Sequence, residues 1–134
     1  MSQGTTYLVL GLEERQLAMK VIGIVGSRRR STVDDYFLTL DKFREVYEAG
    51  DHIVSGGCPQ GADRFAELIA KQRQVPIKIY YAEWDRLGKR AGFARNGSIA
   101  RDANVLIACV AEDRTGGTED TIKKFGTKDE VILV

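Results

Sequence analysis

Residues 52–70, HIVSGGCPQGADRFAELIA, constrain the fold more than any other stretch. The run His52-Ile53-Val54 is apolar and short, and it breaks at Ser55-Gly56-Gly57 and again at Pro59-Gln60-Gly61. Ala62, Phe65, Ala66, Ile69 and Ala70 then recur at i, i+3, i+4, i+7 and i+8, which is one apolar face of a helix. A strand, a glycine turn and a helix in this order bring bare backbone N–H groups and a helix N-terminus to one point. Such a point attracts phosphate, because first-turn N–H groups lack intrahelical partners and the helix dipole favours negative charge. The same glycines also suit a tight βα turn with no ligand.

The unit repeats along the chain. Residues 21–25, VIGIV, are apolar and β-branched, the habit of a strand buried on both faces of a parallel sheet. They stop at Gly26-Ser27-Arg28. Ser31 or Thr32 before Asp34-Asp35 suits a helix start. Phe37, Leu40, Phe43 and Tyr47 predict its apolar face, and Gly50 its end. The second helix is expected over about 61–72. Strands are expected at 77–81, 105–110 and 130–134, a helix within 82–102 and a short one over 122–125. Residues 1–18 read as an extension or an edge strand, with 19–134 as the folded domain. The pattern predicts an α/β fold: a single Rossmann-like, three-layer domain with a mainly parallel sheet of about five strands and right-handed crossovers.

Composition removes several function classes. The chain has 134 residues and a net charge of +1 from 20 basic and 19 acidic residues, which argues against a general nucleic-acid scaffold or a membrane-surface protein. Cys58 and Cys109 fit free thiols in a reducing, cytoplasmic setting. With one histidine, His52, no metal site is expected, and no cofactor either. The glycines at 23 and 26 are wrongly spaced for the dinucleotide fingerprint, and neither a P-loop nor a G-x-S-x-G elbow occurs.

In a parallel sheet every strand's carboxyl end lies on one edge, where open α/β sheets bind ligands. The turns after the strands must therefore converge there. Gly26, Ser27 and Arg28 follow the first strand, and Ser55, Gly56, Gly57, Gly61 and Asp63 the second. Trp84 follows the third, and Gly116, Gly117 and Thr118 the fourth. Gly116, Gly117 and the Thr118 hydroxyl are placed to donate to phosphate. Arg28 and Arg95 suit bidentate pairing with it. Asp63 is expected to cap its helix or to accept from a ribose hydroxyl. Trp84 either stacks on a base or joins the core. Arg29 and Arg30 are expected to be solvated, and Cys58 to be a passive small residue in its turn.

Gly26-Ser27-Arg28, Ser55-Gly56-Gly57 with Gly61-Ala62-Asp63-Arg64, Ala82-Glu83-Trp84-Asp85, Ala91-Gly92 with Arg95-Asn96, and Gly116-Gly117-Thr118 together resemble the SLOG superfamily, most closely its YspA-like branch. The resemblance covers about residues 21–134. It implies a Rossmann-like fold that binds a nucleotide or nucleotide-derived ligand. Within that superfamily the LOG phosphoribohydrolases carry P-G-G-x-G-T-x-x-E, and the DprA family acts in DNA uptake. Gly117-Thr118 matches the G-T step, which makes Arg95 and Asp120 the implied catalytic pair and Asn96 a ligand-binding neighbour. The motif's proline is absent here, its loop is shorter and the acid is Asp.

The leading expectation is a sensor or sequestering module for a nucleotide-like small molecule, ADP-ribose-like included. The alternatives are an N-glycoside hydrolase acting on a nucleoside 5′-monophosphate and, less favoured by the charge balance, a single-stranded nucleic-acid binder. An uncovered final strand suggests a homo-oligomer.

Overall fold

The computed structural model describes residues 19–126 and 130–134. The expected extension over 1–18 lies outside the described residues. Five strands form one parallel sheet in the order β3-β2-β1-β4-β5. They are β1 (Val21–Gly26), β2 (His52–Gly56), β3 (Ile77–Tyr80), β4 (Val105–Cys109) and β5 (Glu130–Leu133). The helices between them are α1 (Val33–Val46), α2 (Ala62–Arg73), a one-turn α3 (Trp84–Leu87), α4 (Ala91–Asp102) and α5 (Gly117–Phe125), with a 3₁₀ turn at Gly88–Arg90.

Side-chain alternation builds the three layers. Ile22, Ile24, Ile53, Ile107 and Cys109 point to one face and bury against α1 and α2 through Phe43, Phe65, Ala66 and Ile69. Val25, Val54, Leu106 and Ala108 point to the other face, against Ile99, Ala103 and Phe125 of α4, the turn after it and α5. A strand that is apolar at every position satisfies both layers, which is why β4 is buried throughout. No described helix is long and apolar enough to cross a membrane.

Strand order reverses between β1 and β4, so the chain leaves the sheet in opposite directions from two adjacent strands. That divergence opens a crevice at their carboxyl ends. Two glycines hold its floor tight. A Cβ on Gly26 would meet Ala62 Cβ at 2.6 Å and Cys109 Cβ at 2.8 Å, so α2 starts in contact with the end of β1. Gly61 has φ +74°, and a Cβ there would stand 2.5 Å from the Ser27 carbonyl oxygen.

Two expectations are corrected. The buried stripe of α1 is Asp35, Thr39 and Phe43, and Phe37 is 54% exposed. The helix is rotated because Asp35 has two inward tasks: it closes a capping box with Thr32 and pairs with Arg30 at 2.9 Å. Arg30 is in turn not a solvated charge. Its guanidinium is half-buried and donates to the Val110 and Val134 carbonyl oxygens, which ties α1's start to β4 and β5.

Candidate functional site

A cleft of about 780 Å³ opens at the carboxyl edge over the β1/β4 divergence. The loop after β1 supplies Gly26, Ser27 and Arg28 to its wall. The Ser27 N–H donates to the Cys109 carbonyl oxygen at 2.9 Å, which fixes this loop to the end of β4. Arg28 is exposed, and among the described residues it has no ion pair or side-chain hydrogen bond. Arg29 does: its guanidinium clasps Asp113 through two 2.9 Å bonds and also reaches Thr115. That guanidinium holds the Asp113 carboxyl well below the usual carboxylate range. The clasp joins the loops after β1 and β4 at the cleft mouth. The run of three arginines therefore offers one uncommitted cation rather than a basic patch.

The N-terminus of α5 lines the same cleft as Arg28. Gly116 is its N-cap, with φ +107° and no side-chain cap, and Gly116, Gly117 and Thr118 all line the cleft. Thr118 is 7% exposed, in the first turn. The helix dipole and uncapped first-turn N–H groups thus meet the cleft on the same side of the sheet as Arg28. The sequence places this helix start too late, at 122, because two glycines read as loop.

Residues after β2 form the floor. Ser55 is fully buried, and its hydroxyl donates to the Ile24 carbonyl oxygen and lies 3.2 Å from Asp63 Oδ1. Gly56 is buried beneath the site, and Gly57 lines it. A Cβ on Gly57 would collide with the Tyr81 ring. Ser55, Gly56 and Gly61 support the cleft without lining it. The expectation that Asp63 caps its helix is corrected: α2 has Gly61 as N-cap and no side-chain cap bond. Its Oδ2 instead accepts from the Cys58 N–H at 3.2 Å, so Asp63 pins the glycine turn to β2. Asp63 is the sole acidic residue on the cleft wall among the described residues.

Burial pushes the Asp63 carboxyl above its ordinary value, against the pull of the Cys58 N–H, the Arg95 charge and the Ser55 hydroxyl. A folded-state value raised in this way gives stability that is complete below the unfolded value and is lost as pH rises through the folded one. Asparagine keeps the shape, accepts from the Cys58 N–H and donates to Ser55 without a charge. Asp63→Asn is therefore expected to equal the native protein in urea melts below about pH 4 and to become the more stable of the two toward neutral pH. An advantage that shrinks as pH rises contradicts the burial argument.

The far wall comes from α3 and α4. Arg95 is half-buried, lines the cleft and has no ion pair among the described residues; its Nε donates to Asn96 Oδ1 at 3.0 Å. Asn96 is buried, and its amide donates to the Gly117 carbonyl oxygen and to Asp120 Oδ2, at 3.2 and 3.1 Å. Asn96 therefore locks α4 to the start of α5. Asp120 does not line the cleft. Its carboxylate faces Asn96 and Lys124, the latter at 2.6 Å. Of the implied catalytic pair, only Arg95 stands in the cleft. Trp84 is not core: it is 59% exposed and lines the wall beside Gly92.

Sequence reasoning missed two further wall residues, Tyr81 and Phe93, exposed by 65% and 59%. Tyr81 was legible as the residue after β3, on the carboxyl edge. Phe93 was hidden by an irregular stretch whose helix start the sequence does not mark. Together with Trp84 they expose three aromatic rings along one side of a cleft whose other side carries Arg28 and the α5 N-terminus. Neither family models, nor curated proteins, nor solved structures give a match to this chain.

Proposed function

We propose that the protein binds a nucleotide or nucleotide-derived ligand in this cleft, as a sensor or sequestering module. One observation carries the reading. Two guanidinium groups without ion pairs among the described residues, Arg28 and Arg95, share a cleft with a helix N-terminus that lacks a side-chain cap. Cations left without acidic partners beside such a terminus form an anion site, and phosphate matches both the fork of arginine and the N–H groups. The exposed aromatic wall of Tyr81, Trp84 and Phe93 suits a base, which stacks on any of the three faces. The volume accommodates a ligand of nucleotide size or larger.

Hydrolysis of an N-glycosidic bond is the weaker reading, because the acid implied for it, Asp120, is paired outside the cleft. Thermal denaturation with a panel of nucleoside mono-, di- and triphosphates and ADP-ribose tests the proposal. A ligand at a hundred times its dissociation constant adds about 2.7 kcal/mol of stability. A stabilising shift with at least one of these compounds is expected. Identical melting curves with and without every one of them overturn it.

A further inference from the structure

Asp63 is out of place in an anion site. It is an acid on a wall that carries Arg28, Lys89 and Arg95, and it is 7% exposed. A phosphate has no reason to approach it, since both repel. Nor does Asp63 neutralise its neighbour: Arg95 and Asp63 form no direct ion pair. Their polar ends nevertheless converge. A Cβ on Gly56 would stand 2.7 Å from Arg95 Nη1 and 2.7 Å from Asp63 Oδ2. The two atoms are therefore no farther apart than twice that distance. Glycine at 56 is what permits the convergence, because a side chain there would displace both.

An oxygen placed between a cation and a carboxylate that are separated by this much reaches both at hydrogen-bond distance. It must accept from the guanidinium and donate to the carboxylate. Phosphate oxygens are mostly ionised at neutral pH and then only accept, and an ammonium cannot accept; a hydroxyl does both. The Cys58 N–H donates to Asp63 Oδ2 and the Ser55 hydroxyl lies against Oδ1, and a carboxylate retains further lone pairs for another donor. Arg95 keeps its terminal nitrogens available while Nε is held by Asn96.

We infer that Asp63 and Arg95 together read a sugar hydroxyl of the ligand, so that the site selects ribonucleotides over their deoxy counterparts. The inference rests on the cleft being a nucleotide site. It makes Asp63 a specificity residue and gives its burial a purpose. The neutral isostere keeps an oxygen but removes its charge, and with it most of the discrimination.

Calorimetric titration with AMP, 2′-deoxy-AMP and 3′-deoxy-AMP tests it. The native protein is expected to bind AMP at least about tenfold more tightly than one of the two deoxy forms, the value of one hydrogen bond to a charged group. Asp63→Asn, with its fold checked by urea melt, is expected to bring the three affinities to within about threefold, largely by weakening AMP. Equal binding of all three by the native protein overturns the inference and leaves the nucleotide site standing. A preference that survives unchanged in Asp63→Asn overturns it as well, by placing the discrimination elsewhere. Failure of all three to bind, alongside failure of the wider nucleotide panel, removes the site and the inference together.

Discussion

Replacing Phe65 by alanine is expected to remove about 3–5 kcal/mol of folding stability, a large share of what a domain of this size has. Phe65 is 6% exposed and sits on the inward face of α2, in the cluster that joins Ile22, Ile24, Phe43 and Ile69. Its ring meets Tyr36 of α1 edge-on, with centroids 5.6 Å apart and planes at 77°. Truncation therefore leaves a cavity between two helices and the sheet and also breaks an aromatic pair. The surrounding β-branched side chains are stiff, so collapse into the space is limited. Phe65 does not line the cleft. The loss is expected in a urea melt as a lower midpoint with an unchanged slope, and ligand affinity of the folded fraction is expected to stay the same. A change below about 1 kcal/mol contradicts this account of the core.

The layers were legible because parallel strands buried on both faces must be apolar at consecutive positions, and 21–25 and 105–110 announce themselves that way. The carboxyl edge followed from the chain direction alone. Strand order did not: nothing in the residues of β1 says that β4 lies beside it, yet that adjacency makes the crevice. Local polar chemistry was the harder part. Asp35 looks like an ordinary first-turn acid, and only its partner Arg30, which reaches back to β4 and β5, turns the polar side of α1 inward. Asp63 looks like a cap, but its oxygens meet Cys58 and Ser55, and its helix has no side-chain cap bond. Asp120 matches a catalytic motif by spacing, while the side chain is turned toward α4 by Asn96 and Lys124. In each case the residue type was readable and the direction of the side chain was not, because direction depends on partners distant in the chain.

Joint replacement of Arg28 and Arg95 by alanine is expected to abolish binding of phosphate-bearing ligands at micromolar concentrations. Among the described residues each guanidinium stands in the cleft without an ion pair, so each is open to a ligand. Loss of one charge-assisted contact costs roughly 1.5–3 kcal/mol, about ten- to a hundredfold in affinity. The two residues come from opposite walls, the loop after β1 and helix α4, and share no side-chain partner. Their effects should add, to about 10²–10⁴-fold for the pair. Folding should survive, since Arg28 is exposed and Arg95 bonds locally, to Asn96 of its own helix. Trp84 supplies the readout. It is the sole tryptophan in the chain, is 59% exposed and lines the cleft, so a ligand that stacks there changes its emission. Titration of the native protein should give a saturable change that weakens as salt is raised, because partly exposed charges are screened. In the double variant the titration should be flat over the same range while the melting curve stays close to native. Native-like affinity in a folded double variant would mean that these two guanidiniums do not hold the ligand.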